Sequence, residues 1–419
     1  MKQILLAGAG KIGAMIANLL TSTGEYQVTV VDRSQRQLDA LTVGAAPAAG
    51  ASLAAGHLPA AGASQGAGPL PAAGPSQGAG PLPAAGPSQG ASPSPAAGLR
   101  KRQLDLTDAG QLGEALKGQF AVLSAAPYSI TSHIARAARA AGVHYLDLTE
   151  DVATTRLVKT LAADASTAFI PQCGLAPGFI SIVAHDLAKR FDTLDCVRLR
   201  VGALPLYPSN ALNYNLTWST DGVINEYIQP CEAIVNRTLQ EVPALEELEE
   251  FSLDGVRYEA FNTSGGLGTL CETLRGKVRT LNYRTVRYPG HRDIMKALLH
   301  DLRLAQRPEV LKDILEHAIP GTLQDVVLVF VTVSGQKGGR LLQETYANKV
   351  YGREVAGVPC SAIQITTAGG ICAVLDLLVQ GALPAKGFVR QEDIPLQAFL
   401  ENRFGAVYAP SQNSVARAA

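Results

Sequence analysis

The first thirteen residues, MKQILLAGAGKIG, run an apolar strand straight into the glycine spacing Gly8-x-Gly10-x-x-Gly13. A helix-forming stretch, Ala14 to Thr21, follows, and a second apolar run, Val28 to Val31, ends in Asp32. Strand, glycine triplet, helix, strand and carboxylate in that order make the dinucleotide-binding fingerprint. They commit this part of the chain to a parallel α/β sheet. Gly8 permits the tight turn out of the strand, Gly10 leaves the backbone bare where a pyrophosphate approaches, and Gly13 lets the helix pack closely on the strand. The helix N-terminus, with Lys11 and Ile12 in its first turn, offers unpaired N–H groups to the phosphates. Asp32 can accept both ribose hydroxyls and would repel a 2′-phosphate, so NAD is the expected cofactor. Arg33 offers a guanidinium to that phosphate and keeps NADP as the alternative.

A chain of 419 residues is long for one domain, and two are expected. Its 36 acidic and 36 basic residues cancel, so no global field recruits nucleic acid or an anionic membrane. No apolar run reads as long enough to span a bilayer, and the N-terminus is a poor signal peptide because it is itself the first strand. The six cysteines, Cys173, Cys196, Cys231, Cys271, Cys360 and Cys372, lie far apart without a C-x-x-C pair. That scatter argues against a zinc site and a disulfide framework, and a cytoplasmic protein with reduced thiols is expected.

From about Ala45 to Gly98 the chain is almost entirely Ala, Gly, Pro, Ser and Gln. A twelve-residue unit recurs there: HLPAAGASQGAG, PLPAAGPSQGAG and PLPAAGPSQGAS. Each unit carries one leucine, too little apolar surface to offset the entropy of ordering, so the segment reads as a disordered insertion. It falls on a helix-to-strand connection, and such connections lie at the amino edge of a parallel sheet, opposite the cofactor crevice.

Beyond the insertion, strands and helices alternate. Strands are expected at Gln103 to Leu106, Phe120 to Ala125, Val143 to Leu148 and Thr167 to Gln172. Helices are expected at Ala109 to Leu116, Ile130 to Ala141 and Val152 to Ala163. This alternation implies a doubly wound parallel Rossmann sheet whose strand ends, at Ala126, Pro127, Tyr128, Asp147, Thr149 and Cys173, line the crevice. Past Phe191 the pattern changes to an inserted α+β substrate and oligomerisation domain. Strands are expected there at Val197 to Val201, Asn213 to Trp218 and Val326 to Val333, antiparallel, with helices at Leu245 to Glu250 and Asp293 to Leu299. Thr367 to Val379 reads as a helix that packs back on the nucleotide domain. The expected division is 1–190 for the nucleotide-binding domain with its 45–98 insertion, 191–360 for the substrate domain, and 361–419 for returning helices.

GLAPGFISIVAHDL from Gly174, VGALPLYPSNALNYNLTWSTDGVINEY from Val201, NTSGGLGTL from Asn262 and YRTVRYPGH from Tyr283 resemble the saccharopine dehydrogenase family, nearest its bacterial lysine 6-dehydrogenase branch. The resemblance implies NAD(P)-dependent oxidation of a carbon–nitrogen bond, at the ε-amine of lysine or the secondary amine of saccharopine, through an imine to aminoadipate semialdehyde. It also implies that Pro127, Tyr128 and Ser129, and the segment ending in Asp147, touch nicotinamide and substrate. Thr263, Ser264 and Gly265 would reach the substrate from the second domain, with Asp105 and Leu106 beside the adenine. In fungal glutamate-forming members a carboxylate-binding arginine stands where this chain has Asp221. An aspartate there would meet an ammonium group, which favours lysine as substrate.

Proton transfer needs a titratable group near the nicotinamide. Asp147, at a strand end, and His291, in the YPGH segment, are the candidates, each against a structural role as cap or core residue. Arg287 is placed to hold an α-carboxylate, or else to make an ordinary ion pair. Cys173, with no base beside it, contributes shape to the substrate site. A homo-oligomer acting on a small amino-acid substrate, with neither nucleic acid nor membrane as partner, is expected. The competing readings are a catalytically silent nucleotide-sensing or scaffold protein, and an oxidoreductase of another diamine or carboxyalkyl polyamine.

Overall fold

The structure is a computed structural model and describes residues 1–42, 98–355 and 357–409. Nearly all of the Ala45 to Gly98 repeat therefore lies outside the described residues. Its flanks are placed. Gly98 accepts a hydrogen bond from the Val28 N–H at 2.7 Å, and the Lys101 ammonium reaches the Leu41 carbonyl at 2.8 Å.

The first sheet is built from β1 (Lys2–Ala7), α1 (Lys11–Ser22), β2 (Tyr26–Asp32), α2 (Gln35–Ala40), β3 (Leu99–Gln103), α3 (Ala109–Leu116), β4 (Ala121–Ser124), α4 (Tyr128–Ala141), β5 (His144–Asp147), α5 (Val152–Ala162) and β6 (Ala168–Ile170). The spatial order from β6 is β6-β5-β4-β1-β2-β3, all parallel, with the chain reversing its winding between β1 and β4. β4, β6 and the last four residues of β1 are buried, as a sheet covered by helices on both faces requires. β3 lies four residues earlier than expected. Its residues, LRKRQ, are mostly exposed at the sheet edge, so the apolar signal came instead from Leu104 and Leu106, buried in the loop after the strand.

After α6 (Phe179–Ala188) come β7 (Thr193–Pro205), α7 (Thr220–Ile228), β8 (Cys231–Val235), β9 (Thr238–Val242), β10 (Glu249–Leu253), β11 (Val256–Asn262), α8 (Leu270–Leu274), β12 (Val278–Arg287), α9 (His291–Lys296), α10 (Pro308–Ala318), β13 (Asp325–Lys337) and β14 (Arg340–Tyr351). The main path of this second sheet is β10-β11-β12-β7-β13-β14. It is mixed, since β7 and β12 pair in parallel at its centre while its other pairs are antiparallel. Two expectations fail. Asn213 to Trp218 is irregular, its carbonyls and neighbours bound by asparagine side chains such as Asn210 Nδ2 to the Tyr214 carbonyl at 2.6 Å. Leu245 to Glu250 is not helical: Leu245 and Glu247 take φ of 61° and 55° before the chain enters β10.

A short β15 (Arg353–Val355) and β16 (Val358–Cys360) precede α11 (Ala362–Val379), β17 (Gly387–Phe388) and α12 (Leu396–Glu401). α11 opens five residues before the expected start, on a capping box of Ser361 and Gln364. Its length and composition would also suit a membrane span, contrary to the reading of the sequence, and 83% of it is buried inside the fold. It packs between α1 on one side and β13 and β14 on the other. β17 then joins the first sheet beside β6. One apolar cluster runs from Ile4 and Leu6 through Ile371 and Val374 to Val327 and Val329, so both sheets share a core.

Candidate active site

A cavity of about 800 Å³ opens between the carboxyl ends of the first sheet and the face of the second. Gly8, Gly10, Ile12, Asp32 and Arg33 line one end, with Asp105 and Leu106 beside them. Nothing lies within 4 Å of where a Gly10 side chain would begin, whereas one on Gly13 would come within 2.0 Å of the Gly8 carbonyl. The first turn of α1 has no side-chain cap, which leaves its N–H groups for an anion. The Asp32 carboxylate accepts the Ala9 and Ser34 N–H groups, each at 2.8 Å, and is thereby fixed at the cavity wall. These features fit a dinucleotide: α1 and Gly10 for the diphosphate, Asp32 for the ribose, and Asp105, Leu106 and Arg33 around the base and its sugar. Lys11 is exposed at the helix start and does not line the cavity, and Gly13 serves packing alone.

Ala126, Pro127, Tyr128 and Ser129 continue the lining along the loop into α4, with Thr149 after β5 and Gly174 after β6. The second sheet and α7 close the far end with Trp218, Asp221, Glu226, Tyr283, Thr285 and Arg287. Arg287 is buried. Its Nε donates to the Tyr227 hydroxyl at 2.9 Å and its Nη1 to the Val286 carbonyl at 2.8 Å. No carboxylate among the described residues lies within ion-pair distance of it, although its charge acts on Glu226. Asp221 is different. It is exposed at the rim and bound by the Lys312 ammonium on α10 at 2.6 Å, so its charge is already answered. Tyr128 and Asp221 also border a second cavity of about 470 Å³ between α7 and α10.

Both sequence candidates for proton transfer lie behind the wall. Asp147 is fully buried and outside the lining; it accepts from the Tyr145 hydroxyl at 2.6 Å, the Gln172 N–H at 2.8 Å and the Thr149 N–H at 3.0 Å. Burial raises its carboxyl to about 6 against those three donors. Asp147 does stand at the carboxyl end of β5, but its side chain turns inward, where it ties β5 to the loop after β6. His291 is also buried. Its Nδ1 meets the Leu212 carbonyl at 2.9 Å, which can only accept, so Nε2 accepts from the Tyr227 hydroxyl at 3.0 Å. Burial, and then the Arg287 charge, lowers this imidazole to about 3, which keeps it neutral. Cys173 is buried against Gln391 and the Ile170 carbonyl, and burial holds its thiol well above the usual range.

Thr263, Ser264 and Gly265 do not line the cavity. Ser264 and Gly265 brace two residues that do, neither of which the sequence reading singled out. The Ser264 N–H donates to the Glu226 carbonyl at 3.0 Å. Gly265, at φ 83°, lies so close that a β-carbon there would come within 2.5 Å of the Glu150 carbonyl. Glu226 is 6% exposed, lines the cavity, and its carboxylate has no hydrogen bond or ion pair among the described residues. Burial, followed by the neighbouring Glu150 charge, raises it to about 8. Burial likewise raises Glu150 to about 7, with Asp151 and Asp147 adding to the effect. A glutamate within α7 gives no period that marks it as functional; Glu150, three residues past Asp147, did lie within the strand-end rule. Trp218 and Tyr283 complete the wall, each ring lying where a side chain on a glycine would have to go, Gly222 and Gly266 respectively.

Family models match most of the described chain. The saccharopine dehydrogenase C-terminal domain matches residues 174–404, and the saccharopine dehydrogenase NADP binding domain matches residues 89–169. Among solved structures, the glutamate-forming saccharopine dehydrogenase of Saccharomyces cerevisiae aligns with a TM-score of 0.68 at 14% identity, over 97% of this chain and 98% of that one. A probable dehydrogenase from Thermotoga maritima aligns with a TM-score of 0.40 at 10% identity, over 96% and 94% of the two chains.

Proposed function

Because the chain belongs to the saccharopine dehydrogenase family, oxidoreductases that use a nicotinamide cofactor, we propose that it oxidises a carbon–nitrogen bond. The substrate in this reading is lysine at its ε-amine, or saccharopine at its secondary amine, and the product after hydrolysis of the imine is aminoadipate semialdehyde. The observation that carries the reading is one cavity joining the dinucleotide wall at Gly10 and Asp32 to a buried, carboxylate-free guanidinium at Arg287. A buried guanidinium without a counter-ion is costly unless a ligand supplies the anion, and lysine and saccharopine both carry α-carboxylates. When bound, the nicotinamide supplies the acceptor for the hydride.

The chain's own residues supply the rest. Arg287 holds the carboxylate and fixes the substrate's long axis, with Tyr227 and His291 fixing Arg287. Trp218 and Tyr283 provide apolar walls that exclude water around the carbon chain. The test is a spectrophotometric panel of lysine, saccharopine and carboxynorspermidine against NAD and NADP. Reduction of nicotinamide with lysine or saccharopine supports the reading, and turnover of neither removes it.

A further inference from the structure

Glu226 is the outlier of the cavity. A buried carboxylate is normally met by several donors, and this one has none among the described residues while facing the cavity. The groups whose charges act with it are Glu150 from the β5–α5 loop, Arg287 and Tyr283 on β12, Tyr227 on its own helix, Tyr214 and Cys231. Arg287 is the one cation among them. The Ser264–Gly265 turn holds both glutamates from behind, so the pair is built into the fold rather than left at its surface.

We propose that Glu226, with Glu150 beside it, is the seat for the substrate's ammonium group and the acceptor of its proton. The inference rests on the amine reading of the cavity and adds the residues that perform it. In the free site the Glu226 carboxyl, buried and facing the Glu150 charge, holds a proton. An arriving ammonium displaces that proton to solvent and takes its place as the counter-charge. One N–H bond then breaks and its proton passes to the Glu226 carboxylate; the electron pair left on nitrogen closes the carbon–nitrogen double bond as the C–H bond breaks and its hydride goes to the nicotinamide of the proposed reaction. With Arg287 lining the same cavity, one ligand meets a seat for a cation and a seat for an anion.

Binding of simple probes tests this without turnover. Trp218 is the chain's one tryptophan and lines the cavity, so its fluorescence reports occupancy. For the full-length protein, 1,5-diaminopentane and hexanoate are titrated into wild type, Glu226→Gln and Arg287→Met. Glu226→Gln is expected to weaken the diamine about tenfold to a hundredfold and to leave hexanoate bound, with Arg287→Met showing the reverse pattern. Calorimetry of the wild type in buffers of different ionisation enthalpy is expected to show proton release on diamine binding near neutral pH. Undiminished diamine affinity in Glu226→Gln, or binding without proton release, overturns the proposal even if lysine is turned over. Glu226-dependent diamine binding in a protein that oxidises no amine would sink the proposed reaction and leave the ammonium seat standing.

Discussion

Arg287 Nε and Tyr227 Oη lie 2.9 Å apart, and the same hydroxyl donates to His291 Nε2 at 3.0 Å. The polarity of this chain is fixed by its end, the Leu212 carbonyl at His291 Nδ1. Each member can therefore point only one way, and a neutral histidine behind the cavity wall sets the orientation of the cavity's guanidinium. Arg287→Met is expected to raise KM for a carboxylate-bearing substrate about a hundredfold with a smaller change in kcat, because the ground-state and transition-state complexes both hold the carboxylate. Tyr227→Phe should produce the same pattern more weakly. Steady-state kinetics reads the split.

Asp147→Ala should act on stability rather than on chemistry. It strands two backbone N–H groups and a tyrosine hydroxyl in a dry site. A loss of about 3–5 kcal/mol by urea denaturation is expected. A variant that kept wild-type stability and lost turnover would return Asp147 to the reaction.

Glu226 titrates near 8 in the folded protein against an ordinary value of 4.5. Between those values the unfolded chain gives up a proton that the folded chain keeps, so this residue's contribution to stability falls as pH rises through the window. Glu226→Gln removes the titration. The variant should melt higher than wild type at about pH 9, and the gap should close toward about pH 4, as thermal scans across the range would show.

Gly265→Ala places a β-carbon against the Glu150 carbonyl at a left-handed φ. The expected cost is about 1–3 kcal/mol, with amine binding weakened and dinucleotide binding retained. Parallel titrations of the two ligands separate these effects.

Asp32→Ser removes a negative charge from the cavity wall beside Arg33. NAD affinity should fall roughly tenfold and the preference shift toward NADP, measured as the ratio of the two dissociation constants. An unchanged ratio would mean that Asp32 does not face the ribose.

The amino-terminal half was legible because its signals are local. Glycine spacing, strand ends and alternation all act within a few residues, and they placed the lining from Gly8 to Ser129. The second half depends on long-range contacts. β7 pairs in parallel with β12, some eighty positions on, and no local period announces such a partner. Asparagine side chains displaced an expected strand near Tyr214, and positive φ at Leu245 displaced an expected helix. At the site, the strand-end rule found the correct loops but could not give side-chain direction, so it chose Asp147 where Glu150 lines the cavity. Glu226 was hidden because its significance is the absence of a partner, which only packing reveals.

The apolar cluster threading α11 into both sheets has a mechanical result. Rotating one wall of the cavity about a hinge would tear open the interior of the protein, so rigid-body gating is energetically closed to it. The two halves should therefore melt together in one cooperative transition.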